Sequence, residues 1–449
     1  MKLPEGAQYI LNQLRAAGYE AYAVGGCVRD SLLGRTPHDW DLCTGAMPSQ
    51  IKAVFAGKLR QKDIGIAHGT VTLFYQNEPI EVTTFRLDGE YTDHRRPDKV
   101  VLGVPLRQDL ARRDFTINAM AMGTNGEVID YFGGQQDLKN HIIRCVGEPR
   151  ARFTEDALRI LRALRFAAQL DFELEPATLE AAAACSPLLA KVAKERVFAE
   201  LDALLQGPGA GRVLALSGKI LGKVIPPIGR CPGFDLRSPV HELDLWQHTA
   251  KAVGLAKPTQ NVRWALMLHD LAKPECFLLD EKGVGHAPNH GYAGSKMAEE
   301  ILQGLHAPSR LITCVRLLVK YHDKPLVPKD VSVRCWMARL GTDLLEELIE
   351  VRRADLAAHA DCADVNRRKR QLEAFAALEK QVKAQHPCIR LNDMNVNGKD
   401  LIRAGLCRPG PQTGRLLHQL LYAIIRGQVD NHKPALLAYA KELETEQQK

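Results

Sequence analysis

The sequence predicts a mixed α/β domain at the amino end, followed by domains built almost entirely from helices. Two observations support this. Residues 1–145 alternate helical patterns with short runs rich in Val, Ile, Thr and Phe. From about Thr154 onward no convincing strand run appears, and apolar residues recur at helical spacing, first at Leu158, Leu161, Leu164 and Ala168. The Pro/Gly-rich stretch GKVIPPIGRCPGFDLRSP marks a boundary before Val240.

The elements of the α/β domain follow from local patterns. In order, they are a helix over 7–17, a strand over 22–24 ended by Gly25-Gly26, a helix through Val28 and Leu32, a strand over 40–43 and a helix over 48–55. The stretch GTVTLFYQNEPIEVTTFR predicts two strands joined by a turn over 76–79. A second strand pair, 119–122 and 127–131, turns at Asn125-Gly126, a strong hairpin signal.

Size and composition limit the classes of protein to which the chain can belong. The chain has 449 residues, of which 45% are hydrophobic, so about three or four domains are expected. The net charge of +7 permits a nucleic-acid partner but does not establish one. No run of 18 apolar residues and no signal-peptide core are found. The eleven scattered cysteines form no CxxC pair; they predict reduced thiols in the cytoplasm, and none is assigned to zinc.

A phosphate and metal site is predicted from GGCVRD, residues 25–30, and the nearby Asp39-Trp40-Asp41. Glycines allow backbone N–H groups to approach a phosphate closely, and Arg29 can add a charged contact. Residues i and i+2 of a strand point to one face, so Asp39 and Asp41 present paired carboxylates that suit Mg²⁺. The alternative is a solvated acidic surface beside a simple turn.

Glu81, in IEVTTF, is a candidate third carboxylate. Val82 and Ile80 occupy the opposite face of the same predicted strand. Two interpretations remain open: Glu81 joins Asp39 and Asp41 in catalysis, or it lies in solvent on an edge strand.

The segment EDALRILRALRF, beginning at Glu155, predicts an amphipathic helix. One face carries charged residues at steps of three, namely Asp156, Arg159, Arg162 and Arg165. Either this face is simply solvated, or it reads a base. Ionised Asp156 only accepts hydrogen bonds and Arg159 only donates them, so the pair would match the edge shared by adenine and cytosine. One good pair contributes about 1–3 kcal/mol of discrimination.

Together, GGCVRD, the Asp39/Asp41 pair, RRDFTINAMAM (residues 112–122) and EDALRILRALRF resemble the class II CCA-adding tRNA nucleotidyltransferases. These belong to the tRNA nucleotidyltransferase and poly(A) polymerase superfamily. The resemblance is strong over residues 21–205 and looser beyond. Within it, DGEYTDHRRP (residues 88–97) resembles the flexible loop of enzymes that add the terminal A.

The resemblance implies four regions: a DNA polymerase β-like nucleotidyltransferase palm (1–145), a helical neck with the base-reading motif (146–206), a helical body (207–385) and a helical tRNA-binding tail (386–449). It also implies template-independent addition of C, C and A from CTP and ATP to the 3′ end of tRNA, with release of pyrophosphate. Asp39 and Asp41 would hold Mg²⁺. The implied nucleotide contacts are Gly26, Arg29, Arg113, Asp114, Asn118, Asp156, Arg159, Arg162 and Arg165. Glu195, Arg196 and Glu200 would support the pocket.

A second constellation consists of His248, His269-Asp270 and Asp355, with His290 and His322 between them. Its order resembles the metal site of HD domains, so the resemblance places an HD domain in the helical body. Imidazole nitrogens and carboxylate oxygens suit a second divalent metal, which would activate water against a phosphate ester. The alternatives are a vestigial site or ordinary helix residues.

The tail, residues 391–427, predicts a helix ending near Gly405, a turn over 409–414 and a new helix from Arg415. Its basic side chains suit a nucleic-acid backbone; they are Lys399, Arg403, Arg408 and Arg415. The alternative is a packed helical hairpin capped by Pro and Gly. The resemblance implies that the tail grips the tRNA elbow, away from the 3′ end.

Two rival functions remain from the sequence. The first is a poly(A) polymerase or an enzyme adding only CC or only A, and the loop over 88–97 argues against CC addition alone. The second is a regulatory nucleotidyltransferase with an HD domain that modifies a protein or a small nucleotide. Such proteins lack the EDxxRxxRxxRF helix. No protein partner and no membrane association are predicted.

Overall fold

The computed structural model describes residues 3–63, 65–66, 69–89 and 100–447. The chain forms two compact units, Met1–Arg230 and Cys231–Lys449. Their boundary lies within the Pro/Gly-rich stretch that precedes Val240. The finer division into palm, neck, body and tail at 145, 206 and 385 stays a prediction.

A seven-stranded mixed sheet forms the centre of the first unit. The strands of this unit are β1 (Ala21–Val24), β2 (Asp41–Thr44), β3 (Arg60–Lys62), β4 (Thr70–Tyr75), β5 (Glu78–Thr84), β6 (Arg86–Asp88), β7 (Val100–Leu102), β8 (Met120–Met122), β9 (Val128–Asp130), β10 (Ile142–Ile143) and β11 (Glu173–Leu174). The sheet order is β3-β4-β5-β2-β1-β8-β9. Only β2 and β5 run parallel in it; β6 pairs with β7 and β10 with β11.

Ten helices accompany these strands in the part of the first unit that the structure describes. They are α1 (Glu5–Ala16), α2 (Gly26–Leu32), α3 (Pro48–Val54), α4 (Leu106–Ala111), α5 (Gly134–Asn140), α6 (Pro149–Glu155), α7 (Leu158–Leu170), α8 (Pro176–Cys185), α9 (Lys194–Leu205) and α10 (Ala210–Leu221). Phe85 packs with Val24 and Cys43 from the sheet and Leu110 from α4 in one apolar cluster. This packing fixes the strand ends that carry the candidate site.

Over residues 231–447, the regular elements of the second unit are helices and one small hairpin, β12 (Leu278–Leu279) and β13 (Gly285–His286). Its helices are α11 (Leu245–Leu255), α12 (Gln260–Leu268), α13 (Lys273–Cys276), α14 (His290–Gly304), α15 (Ser309–Tyr321), α16 (Asp330–Leu340), α17 (Thr342–Ala358), α18 (Ala363–Ala384), α19 (Gly398–Arg403), α20 (Pro411–Ile425) and α21 (Lys433–Gln447). Among the described residues, no helix is long and apolar enough to cross a membrane. All eleven cysteines are free thiols.

The predicted fold class, a mixed α/β domain followed by helical regions, is confirmed. The expectation that no strand follows Thr154 is wrong in detail, because β11, β12 and β13 are two-residue strands too short to show an alternating pattern. Helix α20 begins at Pro411 and not at Arg415. Proline suits the first helical turn because that position needs no backbone N–H donor.

Candidate functional site

Three carboxylates gather at one place on the sheet of the first unit. Asp41 opens β2, Asp39 precedes it by two residues, and Asp41 is the register partner of Glu81 on the parallel strand β5. All three residues are exposed. Within the ranges that the structure describes, none of these carboxylates has a hydrogen bond or an ion pair. Their free oxygens therefore fit a hard divalent cation.

The position of Glu81 corrects one of the alternatives. Strand β5 lies inside the sheet, between β4 and β2, so Glu81 does not belong to an edge strand. Its side chain is nevertheless exposed. A catalytic role for Glu81 stays a prediction, but the register gives it a definite neighbour in Asp41.

The pKa of Asp41 is raised above its ordinary value. Partial desolvation by the surrounding protein is the main cause, Arg113 counteracts it, and repulsion from Asp39 adds to it. The two carboxylates therefore interact electrostatically while Asp41 keeps an open face to solvent. A cation at this position would relieve the repulsion between Asp39 and Asp41.

The glycine turn brings Arg113 close to the same strand ends. Gly25 has φ +83°, and a Cβ there would lie 2.8 Å from Arg113 Nη1. Glycine is required at this position for both reasons. Arg29, one turn into α2, donates from Nη1 to Asn118 Oδ1 at 2.8 Å and forms an ion pair with Asp30.

Buried Asp114 continues this network towards α7. Its Oδ1 accepts from Asn118 Nδ2 at 3.1 Å, and its Oδ2 accepts from Arg162 Nε at 2.8 Å. Burial alone would raise the pKa of Asp114, but Arg162 and Asn118 outweigh it and the pKa is lowered. Asp114 is therefore a carboxylate that links two motifs through charged hydrogen bonds.

Asp156 departs from the prediction. The expectation that Asp156 shares one helical face with Arg159, Arg162 and Arg165 is wrong, because α6 ends at Glu155 and α7 begins at Leu158. Asp156 is extended between the two helices, with φ −136° and ψ 105°. Its Oδ1 accepts from the Leu158 backbone N at 3.0 Å and so satisfies a free donor at the start of α7.

The second oxygen of Asp156 is held from another helix. Arg196 Nη2, on α9, donates to Asp156 Oδ2 at 3.1 Å. Arg159 donates from Nη2 to the Arg112 carbonyl at 3.0 Å and from Nη1 to Glu155 at 2.5 Å. The proposed base-reading carboxylate is therefore oriented from two sides.

Three arginines surround the ring of Phe166 on α7. Their guanidinium carbons lie 4.1 Å (Arg165), 5.1 Å (Arg29) and 5.3 Å (Arg162) from its centroid. Arg165 also donates from Nε to Glu200 at 2.6 Å. Leu158, Leu161 and Leu164 are buried on the core-facing side of the helix, as predicted.

Two contributors were not predicted. Asp109, which is 1% exposed, forms ion pairs with Arg112 at 2.9 Å and Arg113 at 3.6 Å. An acidic residue three and four positions before two arginines was the available signal. The second residue that was not predicted is Phe166, because its contacts with the three arginines form only in the tertiary structure. The predicted loop over 88–97 lies mostly outside the described residues, which exclude 90–99.

The second constellation converges inside the second unit. His248 lies on α11, His269 and Asp270 follow α12, and Asp355 lies on α17. His248 Nε2 is 3.0 Å from Asp355 Oδ1, and His269 Nε2 is 3.1 Å from Asp270 Oδ2. The possible ligand atoms of His248, His269 and Asp270 all lie within 4.8 Å of one another, close enough to bind one metal ion. We call these four residues the HD cluster.

His290 and His322 lie directly beside the HD cluster. Each Nε2 is 3.5 Å from Asp270 Oδ1, and the two Nε2 atoms are 3.1 Å apart. Asp270, His290 and His322 form a further potential ligand group, and His241, His248 and His359 form another.

Backbone carbonyls orient these imidazoles. The Nδ1 atoms of His269, His290 and His322 each lie 2.7 Å from the carbonyl of the residue three positions earlier. A carbonyl only accepts, so each Nδ1 donates its proton to that carbonyl and each Nε2 faces the cluster. A hydrogen bond from Nδ1 to a backbone carbonyl is typical of histidines that bind metal through Nε2.

The charges of the cluster are strongly perturbed. Burial opposes protonation of His269, but Asp270 and Asp355 outweigh it and raise its pKa to about 10. Burial likewise disfavours ionised Asp270, whereas His269 and Lys273 lower its pKa well below the ordinary value. The Lys273 amine, 2.7 Å from Asp270 Oδ2, also stabilises the ionised carboxylate, and the cluster presents imidazole nitrogens and carboxylate oxygens, which are ligands that divalent metals accept. The donor set therefore fits a bound cation.

The tail presents a basic surface on a small apolar core. Leu401, Leu416 and Leu420 pack with one another in this core. The side chains of the four basic residues are exposed, namely Lys399, Arg403, Arg408 and Arg415. The hairpin packing and the basic surface are therefore compatible, although the nucleic-acid contact stays a prediction.

Known proteins resemble this chain in separate segments and over its whole length. A family model described as Poly A polymerase head domain matches residues 21–144, and one described as tRNA nucleotidyltransferase domain 2 matches 293–440. The CCA-adding enzyme of Leuconostoc mesenteroides is 36% identical over 443 residues, covering 98% of this chain and 97% of that protein. That of Levilactobacillus brevis is also 36% identical, with coverage of 97% and 96%.

Solved structures agree with these relatives. The Bacillus stearothermophilus CCA-adding enzyme in complex with CTP superposes with a TM-score of 0.73 at 30% identity, covering 100% of this chain and 99% of that one. The Thermotoga maritima CCA-adding enzyme complexed with tRNA shares the fold, with a TM-score of 0.56 at 19% identity and coverage of 97% and 94%.

Proposed function

Because this chain belongs to the family of CCA-adding enzymes, we propose that it adds C, C and A to the 3′ end of tRNA. The donors are CTP and ATP, no nucleic-acid template is used, and pyrophosphate is released. The observation that carries this proposal is the hydrogen-bond path Arg29–Asn118–Asp114–Arg162. It joins the phosphate-binding turn to the base-reading helix within one compact unit.

CCA-adding nucleotidyltransferases use a divalent metal, and we propose Mg²⁺ held by Asp39 and Asp41 in this chain. The exposed oxygens without partners support this assignment, and Glu81 on the adjoining strand would assist. Mg²⁺ would make the 3′-hydroxyl easier to deprotonate and would neutralise charge on the triphosphate.

The protein's own groups position the reactants. The 3′-hydroxyl oxygen loses its proton to water and forms a bond to the α-phosphorus, and the bond from that phosphorus to the pyrophosphate oxygen breaks. Gly26, Arg29 and Arg113 would hold the triphosphate, and Asn118 and Asp114 would hold the ribose side. Positioning of this kind removes a large part of the barrier. Asp156 and Arg159 would select the base.

Addition reactions on tRNA that lacks CCA test the function. We expect two nucleotides with CTP alone and three with CTP and ATP together, resolved on a sequencing gel. A long ladder with ATP alone would identify a poly(A) polymerase instead. No product under any condition would favour the regulatory rival. The variant Glu180→Gln should give the same products as the unaltered protein, since this exposed carboxylate lies on α8, outside the proposed site.

A second function is favoured by the HD cluster. We propose that His248, His269, Asp270 and Asp355 bind a divalent metal that supports hydrolysis of phosphate esters. The converging Nε2 atoms and carboxylate oxygens support it. Hydrolysis of p-nitrophenyl phosphates after addition of Mn²⁺ tests it, with Asp355→Asn expected to lose activity.

The remaining assignments follow from these two functions. We propose that the basic tail surface contacts the tRNA elbow and that the protein works in the cytoplasm. The exposed arginines of the tail support the first assignment, and eleven free thiols support the second.

A further inference from the structure

We propose that the second unit binds a linear polyamine in an acidic groove formed by α17, α18 and the segment that joins α11 to α12. The groove has a volume of about 460 Å³. Five carboxylates line it, which we call the groove carboxylates, namely Asp343, Glu346, Glu347, Glu350 and Glu379. They are distinct from the carboxylates of the HD cluster. They outnumber the cationic lining residues, which are Lys257, Arg353 and Lys380.

Four of the groove carboxylates form a stripe along α17. They follow one another at steps of three, one and three residues, and residues three, four and seven apart share one face of a helix. Each residue rises about 1.5 Å, so the stripe from Asp343 to Glu350 extends about 10 Å along the helix axis. The groove therefore presents negative charge at repeated intervals along a line.

The fifth groove carboxylate, Glu379 on α18, is buried. The residue is 1% exposed, and its Oε1 atom has no hydrogen-bond partner among the described residues. Burial is the main cause of its raised pKa, and Glu346 adds to the effect, whereas Lys383 and Lys380 oppose it. A buried polar atom normally has a partner, so Glu379 indicates a ligand that donates hydrogen bonds into the groove.

Two of the groove carboxylates already hold a cation of the chain. Glu350 forms an ion pair with Arg353 at 2.9 Å, and Glu346 forms one with Lys383. Arg353 also pairs with Glu373 at 2.7 Å, so its charge is divided between two carboxylates. The other three groove carboxylates have no ion pair within the part of the chain that the structure describes.

The contacts of these three carboxylates leave their charge uncompensated. Glu347 accepts from the Asn261 amide at 2.9 and 3.1 Å, and Asp343 accepts from the Thr342 hydroxyl at 3.0 Å. Both donors are neutral. Burial is the main cause of the raised pKa of Glu347, the Asn261 amide opposes it, and Asp343 adds to it. A bound cation would relieve this repulsion.

Apolar side chains in the groove indicate the class of cation. Val262, Ile349 and Ala376 line the groove together with the carboxylates and are buried. Apolar walls suit methylene groups, which long amines bury while their charged ends stay with polar partners. A magnesium ion keeps several of its waters and would present polar surface to these walls. The groove therefore favours an alkyl chain that carries ammonium groups.

The dimensions of a polyamine match the stripe on α17. Ammonium groups separated by three or four methylenes lie about 5–6 Å apart in an extended chain whose single bonds are about 1.5 Å long. One helical turn rises about 5.4 Å. An ammonium group only donates hydrogen bonds and a carboxylate only accepts them. A polyamine can therefore contact carboxylates on successive turns, whereas a monoamine reaches only one turn.

Titration of the full chain with spermidine tests the proposal. Calorimetry measures the affinity, and hydrogen exchange of α17 and α18 locates the bound probe. We expect the affinity to fall by on the order of 10–100-fold in Glu379→Gln, because a charge-assisted hydrogen bond is lost. Butylamine should bind at least about tenfold more weakly than spermidine, because it can make only one such contact. Glu300→Gln, which alters an exposed carboxylate on α14 outside the groove, should bind spermidine as the unaltered protein does.

The variant is expected to fold. Glu379→Gln keeps the shape of the side chain and removes a charge that has no ion pair among the described residues, so Tm without spermidine should be equal to or above that of the unaltered protein. Glu347→Gln is a second variant for the same test. Its carboxylate is partly exposed, and it should weaken spermidine binding in the same direction.

Three outcomes would overturn the proposal. In the first, spermidine fails to protect α17 and α18 of the unaltered protein from exchange, a measurement that depends on no variant. In the second, Glu379→Gln and Glu347→Gln bind spermidine as tightly as the unaltered protein. In the third, Mg²⁺ titrated alone protects both helices and spermidine adds nothing, which would assign the groove to an inorganic cation.

Discussion

The two candidate metal sites differ in how much of the ligand set the chain provides. At the palm, Asp39, Asp41 and Glu81 are exposed and have no hydrogen-bond or ion-pair partner among the residues that the structure describes. In the HD cluster, His269 is fully buried, and a backbone carbonyl fixes its ring. A cation that keeps most of its waters needs only one or two carboxylates and the substrate's phosphates. We therefore expect the palm to take an ion that arrives with its nucleotide and the HD cluster to hold a resident ion.

The largest expected effect is on nucleotide addition, and it tests the metal site of the palm. Asp41→Asn removes charge but keeps shape, so nucleotide addition should fall by about 10³-fold or more, because metal assistance contributes several kcal/mol. Stability should barely change, since the carboxylate is exposed without a partner. Single-turnover addition of CMP measures the loss. An activity within tenfold of wild type would remove Asp41 from the metal site.

The next effect concerns the resident ion. Mn²⁺ at 100 times its Kd should stabilise the second unit by about 2.7 kcal/mol, which for a unit of roughly 150–250 residues raises Tm by about 5–10 °C. Hydrogen exchange of α12 and α17 identifies the responding unit. The palm should respond only when CTP is also present. The comparison would be wrong if Mn²⁺ alone protected the palm equally, and Asp270→Asn should abolish the response of the second unit.

Base selection provides a smaller effect, confined to the first unit. Asp156→Asn can donate where the carboxylate only accepts, so discrimination of CTP against UTP should weaken by about 5–150-fold. The ratio of kcat/KM values measures it. Asp171→Asn is the matched control, because Asp171 caps the other end of α7 and is exposed. An unchanged ratio would remove the base-reading assignment.

The smallest expected effect comes from the orientation of the Asp156 carboxylate. Arg196→Met removes the contact from α9 to Asp156, a partly exposed ion pair that contributes about 0.2–1 kcal/mol. The same selectivity ratio should fall by about 1.4–5-fold. KM for tRNA should not move. A loss as large as that of Asp156→Asn would mean that Arg196 contacts the base itself.

Periodic patterns predicted the fold well, because they reflect burial directly. The strands β4 and β5 and the buried leucines of α7 follow from such patterns. The strands β3 (RQK) and β6 (RLD) escaped prediction, because these three-residue segments are almost entirely polar and show no alternating apolar pattern. Register is similar: nothing local to Asp41 indicates that Glu81 lies beside it.

The candidate sites were predictable in membership and less so in geometry. The three-residue spacing predicted that Asp156 lies on the same helix as the arginines. Instead, its side chain accepts from the backbone N–H of Leu158, and Asp156 lies between the end of α6 and the start of α7. The sequence order suggested His248, His269, Asp270 and Asp355. The two oxygens of Asp270 face different histidines, His269 and His290, and this arrangement forms only when the helices pack together.

The arginines around Phe166 have a further consequence for ionic strength. Arg29, Arg162 and Arg165 each already hold a carboxylate, from Asp30, Asp114 and Glu200. A triphosphate that binds these arginines would replace the protein's own carboxylates and would release few ions from solution. Nucleotide affinity should therefore depend weakly on added salt. Binding of tRNA to the exposed cations of the tail would release condensed ions from the RNA and should weaken steeply. One salt titration would thus report separately on the two substrates.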